Sequence, residues 1–212
     1  MSGIGVFGGT FDPIHMGHLR SALELKQALA LDEVRFVPCR QPPHRALPAV
    51  GPEARAEMVA RAIAGVTGFV LDRRELHREG PSYTLDTLVA LRRELPGKRL
   101  VLLLGADAFL GLPGWHGWRA LLELAHIAVA HRPGWSLEDG AGLDELTHGR
   151  LVAEPGALNA AAAGCIVLIA VTQLEISATA LRSTAGVGGD IHFLVSESVR
   201  EYIETTGCYR SG

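Results

Sequence analysis

Lysine is nearly absent from this 212-residue chain: of 20 basic residues only Lys26 and Lys98 are lysine, and the rest are arginine. Net charge is −3, so the basic surface of a general nucleic-acid binder is missing. Cysteine is scarce too. Cys39, Cys165 and Cys208 are odd in number and widely spaced, which excludes a disulfide framework or a cysteine metal cluster and fits the reduced thiols of a cytoplasmic protein. No apolar run is long enough to span a bilayer, and no basic-then-apolar leader precedes the first strand-like segment. What remains is ordinary globular material, 48% apolar and 20% charged, long enough to bury a core. With so little lysine, anion contacts fall to Arg, His and backbone N–H groups; the planar fork of Arg can bind two oxygens at once.

The most informative stretch is Gly8-Gly9-Thr10-Phe11-Asp12-Pro13-Ile14-His15-Met16-Gly17-His18. An apolar run, Ile4 to Phe7, precedes it and reads as a buried strand. Leu19, Ala22, Leu23 and Leu29 follow with helical spacing. Two glycines at a strand-to-helix turn let backbone N–H groups approach an anion, and a helix start adds orphan N–H groups and its dipole. His15 and His18, three apart, can address the same guest; a phosphate is the natural one. Asp12, His15 and His18 could instead hold zinc, though no cysteine lies nearby in sequence.

Strand-like and helix-like segments alternate through the rest. Val34–Pro38, Phe69–Leu71, Leu100–Leu104, Ile127–Ala130 and Cys165–Val171 read as strands. Glu53–Ala64, Ser82–Leu95, a short Trp118–Leu124, a helix opened by Ser177, and Ser196–Thr206 closed by Gly207 read as helices. This predicts an α/β fold: a Rossmann-like, doubly wound parallel sheet with helices on both faces, in one domain over residues 1–212. Residues 135–164 read as a variable connection with one short helix, and 172–212 as a C-terminal helical segment. Ligands of such sheets bind beyond the carboxyl ends of the strands. That rule draws attention to Pro42-Pro43-His44-Arg45, Ser82-Tyr83-Thr84, Asp107, Trp115, Arg132 and Ile176-Ser177-Ala178-Thr179-Ala180-Leu181-Arg182.

Each has a plain structural alternative. On their own His44 and Arg45 read as solvated residues of a proline turn, and Arg40 as a phosphate contact or a solvent-facing side chain. Ser82 or Thr84 can cap a helix. Asp107 can cap a turn or accept ribose hydroxyls. Trp115 sits among Pro and Gly where a flat ring can stack on a ligand, while Trp118 reads as core. Ser177 is a good N-cap at a second helix start able to hold an anion.

With these segments in view, the chain resembles the nucleotidyltransferase superfamily with the His-x-Gly-His signature, and within it the bacterial nicotinate mononucleotide adenylyltransferase family. The resemblance runs over nearly the whole chain, through Pro-Pro-His-Arg, Ser-Tyr-Thr, Trp115 and Ile-Ser-Ala-Thr-x-x-Arg. It implies an enzyme that moves the adenylyl group of ATP to nicotinate mononucleotide, giving deamido-NAD and pyrophosphate in NAD biosynthesis. His18 and His15 would be catalytic. Gly8, Gly9, Thr10, Phe11, His15, His18, Arg132, Ser177, Thr179 and Arg182 would bind ATP. His44, Arg45, Ser82, Tyr83, Thr84, Asp107 and Trp115 would bind the mononucleotide. Mg²⁺ would arrive with ATP and need no dedicated protein ligands. No nucleic-acid or membrane partner is implied, and a homo-oligomer stays open. The same histidines would serve a nicotinamide mononucleotide or pantetheine-phosphate adenylyltransferase, or a nucleotide-binding regulator without turnover.

Overall fold

The computed structural model describes residues 3–43, 47–135 and 143–210. Its strands are β1 (Gly3–Gly9), β2 (Glu33–Pro38), β3 (Phe69–Leu71), β4 (Arg99–Gly105), β5 (His126–His131), β6 (Leu151–Val152) and β7 (Ile166–Ala170). They form a seven-stranded sheet in the order β3-β2-β1-β4-β5-β7-β6, with helices on both sides. The pairs β1/β4, β4/β5, β5/β7 and β6/β7 are all parallel. The expected parallel α/β fold is therefore present. Helices are α1 (Met16–Ala28), α2 (Pro52–Ile63), α3 (Thr84–Glu94), α4 (Ala106–Leu110), α5 (Leu121–Leu124), α6 (Asp144–Thr147), α7 (Ala178–Gly186) and α8 (Glu197–Thr206). No helix among the described residues is long and apolar enough to cross a membrane.

The chain forms two compact units, each discontinuous in sequence. The first comprises Met1–Phe7, Ser21–Arg35 and Tyr83–Thr172. Its centre is β4 and β5, apolar between their end residues and buried on both faces, as parallel strands between helices require. The polar residue that opens each strand is buried as well. The Arg99 guanidinium donates to the Leu29 carbonyl and to Asn159 Oδ1. Gly3 makes room for it: a Cβ there would lie 2.4 Å from Arg99 Nη2. His126 Nδ1 accepts the Cys165 N–H at 3.1 Å, and its Nε2 faces the Ala161 carbonyl at 3.1 Å. Nε2 therefore carries the hydrogen. Arg92 donates to the carbonyls of Leu124 and Ala162. Three polar side chains thus tie down the segment that leads into β7. The weakly patterned 135–164 stretch holds not only a short helix but also β6, a two-residue edge strand that no sequence period announced.

The second unit comprises Gly8–Arg20, Phe36–Ser82 and Gln173–Gly212. Here α2 packs against α8, burying Ala56, Met58, Val59, Ala62 and Ile63 from one helix and Val199 and Ile203 from the other. Gly207 ends α8 at φ 63°, the left-handed C-cap its sequence position announced.

Candidate active site

The Gly-Gly loop lies in the second unit. Gly9 has a packing reason: an added Cβ would sit 2.8 Å from the Phe11 ring. At Gly8 an added Cβ would meet nothing within 4 Å, so the backbone there faces open space. Phe11 adopts φ 49°, the left-handed region that side chains rarely enter. Its ring is buried and meets the His18 ring edge-on, 5.3 Å between centroids.

His15 is not in the helix but just ahead of it, where its carbonyl accepts the N–H groups of His18 and Leu19. The His15 N–H returns to His18 Nδ1 at 3.3 Å. An accepting Nδ1 places the His18 hydrogen on Nε2, so His18 presents a donor on its far side. The two imidazoles stack at 3.7 Å. Gly17, the glycine of His-x-Gly-His, permits this: a Cβ there would lie 3.1 Å from His15 Cε1 and Nδ1. His15 is buried, and burial pushes its pKa down to about 4, so the ring is neutral near pH 7. Its Nδ1 is buried with no hydrogen-bond partner among the described residues. A lone buried ring nitrogen is costly and marks a spot where an arriving polar group would be welcome.

The helix start keeps fewer donors than its position implied. The Met16 N–H is already bound to the Leu194 carbonyl at 2.8 Å, and that of His15 to His18. Side chains supply part of the difference. Ser177 caps α7, accepting the Ala180 N–H. Arg182 on that helix reaches back to the loop, where Nη1 donates to the Asp12 carbonyl at 2.7 Å. Its Nη2 donates to Thr179 Oγ1 at 3.3 Å. These two bonds use two of the five guanidinium N–H groups. The α7 motif and the His-x-Gly-His motif are therefore joined through Asp12.

Sequence reading missed Arg55, a residue central to this corner. It is fully buried on α2 and donates to three main-chain carbonyls: Thr10 at 2.7 Å, Val50 at 3.2 Å and Arg40 at 3.2 Å. It therefore clamps the loop after β1 to the chain after β2. The signal was present but contrary to habit: Arg55 shares the apolar stripe of α2 with Met58, Val59 and Ala62, where a charge needs a reason. Arg40 itself is exposed, and its Nη1 donates to the Arg78 carbonyl. Ser82 does not cap α3. Its hydroxyl instead accepts the N–H groups of Arg40 and Gln41 at 3.0 and 3.4 Å, and Tyr83 stands at the N-cap without a side-chain bond. His44 and Arg45 lie outside the described residues.

In the first unit, Tyr83 and Thr84 open α3, and the Trp115 loop packs beside them. The Tyr83 ring stacks on His116 at 4.3 Å, and a Cβ on Gly117 would lie 2.4 Å from Leu85 Cδ2. Gly117 also sits at φ 60°, so glycine is required twice over. Trp118 is core, as expected, while Trp115 is half-buried in the loop. Asp107 is exposed in the first turn of α4 and caps nothing, because Gly105 holds the N-cap position without a side-chain bond. Arg132 is exposed directly after β5. Among the described residues no group of three or more His, Cys, Asp or Glu could hold a metal ion, the Asp12, His15 and His18 set included.

A parallel α/β sheet whose first strand runs through a Gly-Gly loop into His-x-Gly-His defines a nucleotidyltransferase, and the profile of the family described as Cytidylyltransferase-like matches residues 6–184. Curated relatives narrow the class. The chain is 50% identical over 206 residues to the probable nicotinate-nucleotide adenylyltransferase of Halorhodospira halophila, covering 97% of this chain and 94% of that one. It is 47% identical over 209 residues to the protein of the same name in Pseudomonas aeruginosa, covering 98% and 97%. The chain belongs to the nicotinate-nucleotide adenylyltransferases of this family. The fold is also that of the Plasmodium falciparum nicotinic acid mononucleotide adenylyltransferase complexed with NaAD, with TM-score 0.71 at 17% identity over 99% of this chain and 98% of that one.

Proposed function

We propose that the protein transfers the adenylyl group of ATP to nicotinate mononucleotide, releasing pyrophosphate and forming deamido-NAD. The observation that carries the reading is the Arg182 bond to the Asp12 carbonyl. It brings the helix opened by Ser177, and with it the Arg182 guanidinium, onto the same loop as the stacked histidines, so charged and ring donors serve one corner, as a triphosphate requires. The family supplies the acceptor.

A mononucleotide phosphate oxygen forms a bond to the α-phosphorus of ATP as the bond to the β-phosphate oxygen breaks. His18 Nε2–H stabilises charge growing on the α-phosphate. His15, Thr10 and the Phe11 N–H orient phosphates, with open backbone at Gly8 and packed backbone at Gly9. Ser177, Thr179 and Arg182 hold the β- and γ-phosphates that leave as pyrophosphate, and Arg132 lies toward the adenine nucleotide. Mg²⁺ arriving with ATP would supply charge neutralisation. On the acceptor side the nicotinate ring stacks on Trp115 and its carboxylate meets the N–H groups at Tyr83 and Thr84. Ser82 fixes the chain leading there, Asp107 takes ribose hydroxyls, and His44 and Arg45 take the mononucleotide phosphate.

The test is pyrophosphate release with ATP and each acceptor in turn. Nicotinate mononucleotide should be used, with the nicotinamide analogue lower in kcat/KM by up to ~10⁴-fold, because its amide donors face backbone donors. Equal use of the amide, or turnover only with pantetheine phosphate, would refute the acceptor; no turnover with any acceptor would leave a nucleotide-binding regulator.

A further inference from the structure

Asp12 is a buried carboxylate with a partner on every side. Oδ2 accepts the Ala49 N–H at 2.7 Å. Oδ1 accepts the Tyr209 hydroxyl at 2.8 Å. Its main-chain oxygen accepts Arg182 Nη1, which also lies 3.8 Å from Oδ2. Asp12 is 5% exposed, so its charge cannot be left to water. Tyr209, just beyond α8, belongs to no motif. Its hydroxyl is 4.0 Å from Met58 Sδ, a poor acceptor beside a carboxylate. Burial and the adjacent Asp12 charge both push the phenol pKa up, so the hydroxyl keeps its proton and stays a donor.

We propose that Tyr209 is a positioning residue for the triphosphate subsite, fixing Arg182 through the Asp12 carboxylate and main chain. With the Tyr209 hydroxyl in place, Asp12 has one orientation, and the carbonyl that holds Arg182 is presented from a fixed loop. Without it, Oδ1 is an unpaired buried oxygen whose best remaining donor is the Arg182 fork itself. The guanidinium is then drawn onto the carboxylate and away from phosphate. The effect belongs to ATP and not to the acceptor, and the subsite assignment rests on the adenylyl-transfer reading.

Tyr209→Phe removes one oxygen and keeps the ring. Direct calorimetric titration of ATP should show Kd raised about tenfold, the scale of one lost charged hydrogen bond, while nicotinate mononucleotide Kd moves less than twofold. In the assay KM for ATP should rise more than kcat falls. Combined with Arg182→Ala, the second change should add little, because both act on one contact. Unchanged ATP affinity, a defect in the acceptor alone, or fully additive effects with Arg182→Ala would overturn the proposal. So would a Tyr209→Phe protein too unstable to titrate, since its role would then be structural. The readout survives failure of the function reading: if the native protein turns over no acceptor, ATP titration of the two variants still decides whether Tyr209 acts on Arg182.

Discussion

His15 should make the protein lose stability as pH falls below neutrality. Burial lowers its pKa from 6.5 to about 4 in the folded chain. Between those values the unfolded chain binds a proton that the folded one refuses. Stability therefore rises with pH across that window, and is lost progressively from about pH 6.5 down to about pH 4. A gap of this size corresponds to about 3 kcal/mol at its limit, at about 1.4 kcal/mol per pKa unit, a large share of a typical domain's stability. The side chain is only 8% exposed, so solvent screening removes little of it. The assay is urea unfolding of the native protein and His15→Asn at matched pH values from 4 to 8. His126 is also pushed down by burial, but it is common to both proteins and drops out of the difference. Any constant offset from asparagine drops out as well. The difference between the curves should change by about 3 kcal/mol between pH 6.5 and 4, with native stability falling faster. A flat difference, or a directly titrated His15 pKa near 6, would refute the reasoning. Saturating ATP should shrink the slope, because a phosphate beside the ring favours its charged form.

His18→Ala should lower kcat at least ~10²-fold, the scale of one lost transition-state donor, with Tm nearly unchanged; near-normal turnover would remove His18 from the chemistry. Arg55→Met should cost at least ~3 kcal/mol in urea unfolding, because three main-chain carbonyls lose the buried charged donor they share; a loss under ~1 kcal/mol would mean the clamp is dispensable. Gly9→Ala should cost ~1–3 kcal/mol by forcing the Phe11 ring aside, and should weaken ATP binding as that ring leaves His18; a variant indistinguishable from native in both measurements would contradict the packing account.

How legible the molecule was from its sequence depends on whether the relevant physics is local. β4, β5 and β7 were readable because continuous apolar runs of strand length have one comfortable home, between two layers of helices. Ser177 and Gly207 were readable because capping is decided within four residues. The His-x-Gly-His corner was recognisable as a string, but the role of its glycine was not: only the folded chain shows the His15 ring lying 3.1 Å from where a Cβ would be. Ser82 misled because its hydroxyl found backbone donors about 40 residues away before it found its own helix. β6 escaped because two residues carry no period. Tyr209 and Asp12 are 197 positions apart, and no local pattern in either segment names the other.

That separation has a consequence for the chain while it is being made. The loop at residues 8–18 leaves the ribosome first, yet its fastenings come late: Arg182, the Leu194 carbonyl that holds the Met16 N–H, and the Tyr209 hydroxyl. A growing chain can pair β1 with β4 long before those groups exist. Until they do, the Asp12 carboxylate has no phenol and the first helix no carbonyl at its start. Contacts of such high contact order form slowly, and ATP present during synthesis would find no finished corner to occupy. In pulse-labelled translation, release factors should therefore precede nucleotide protection.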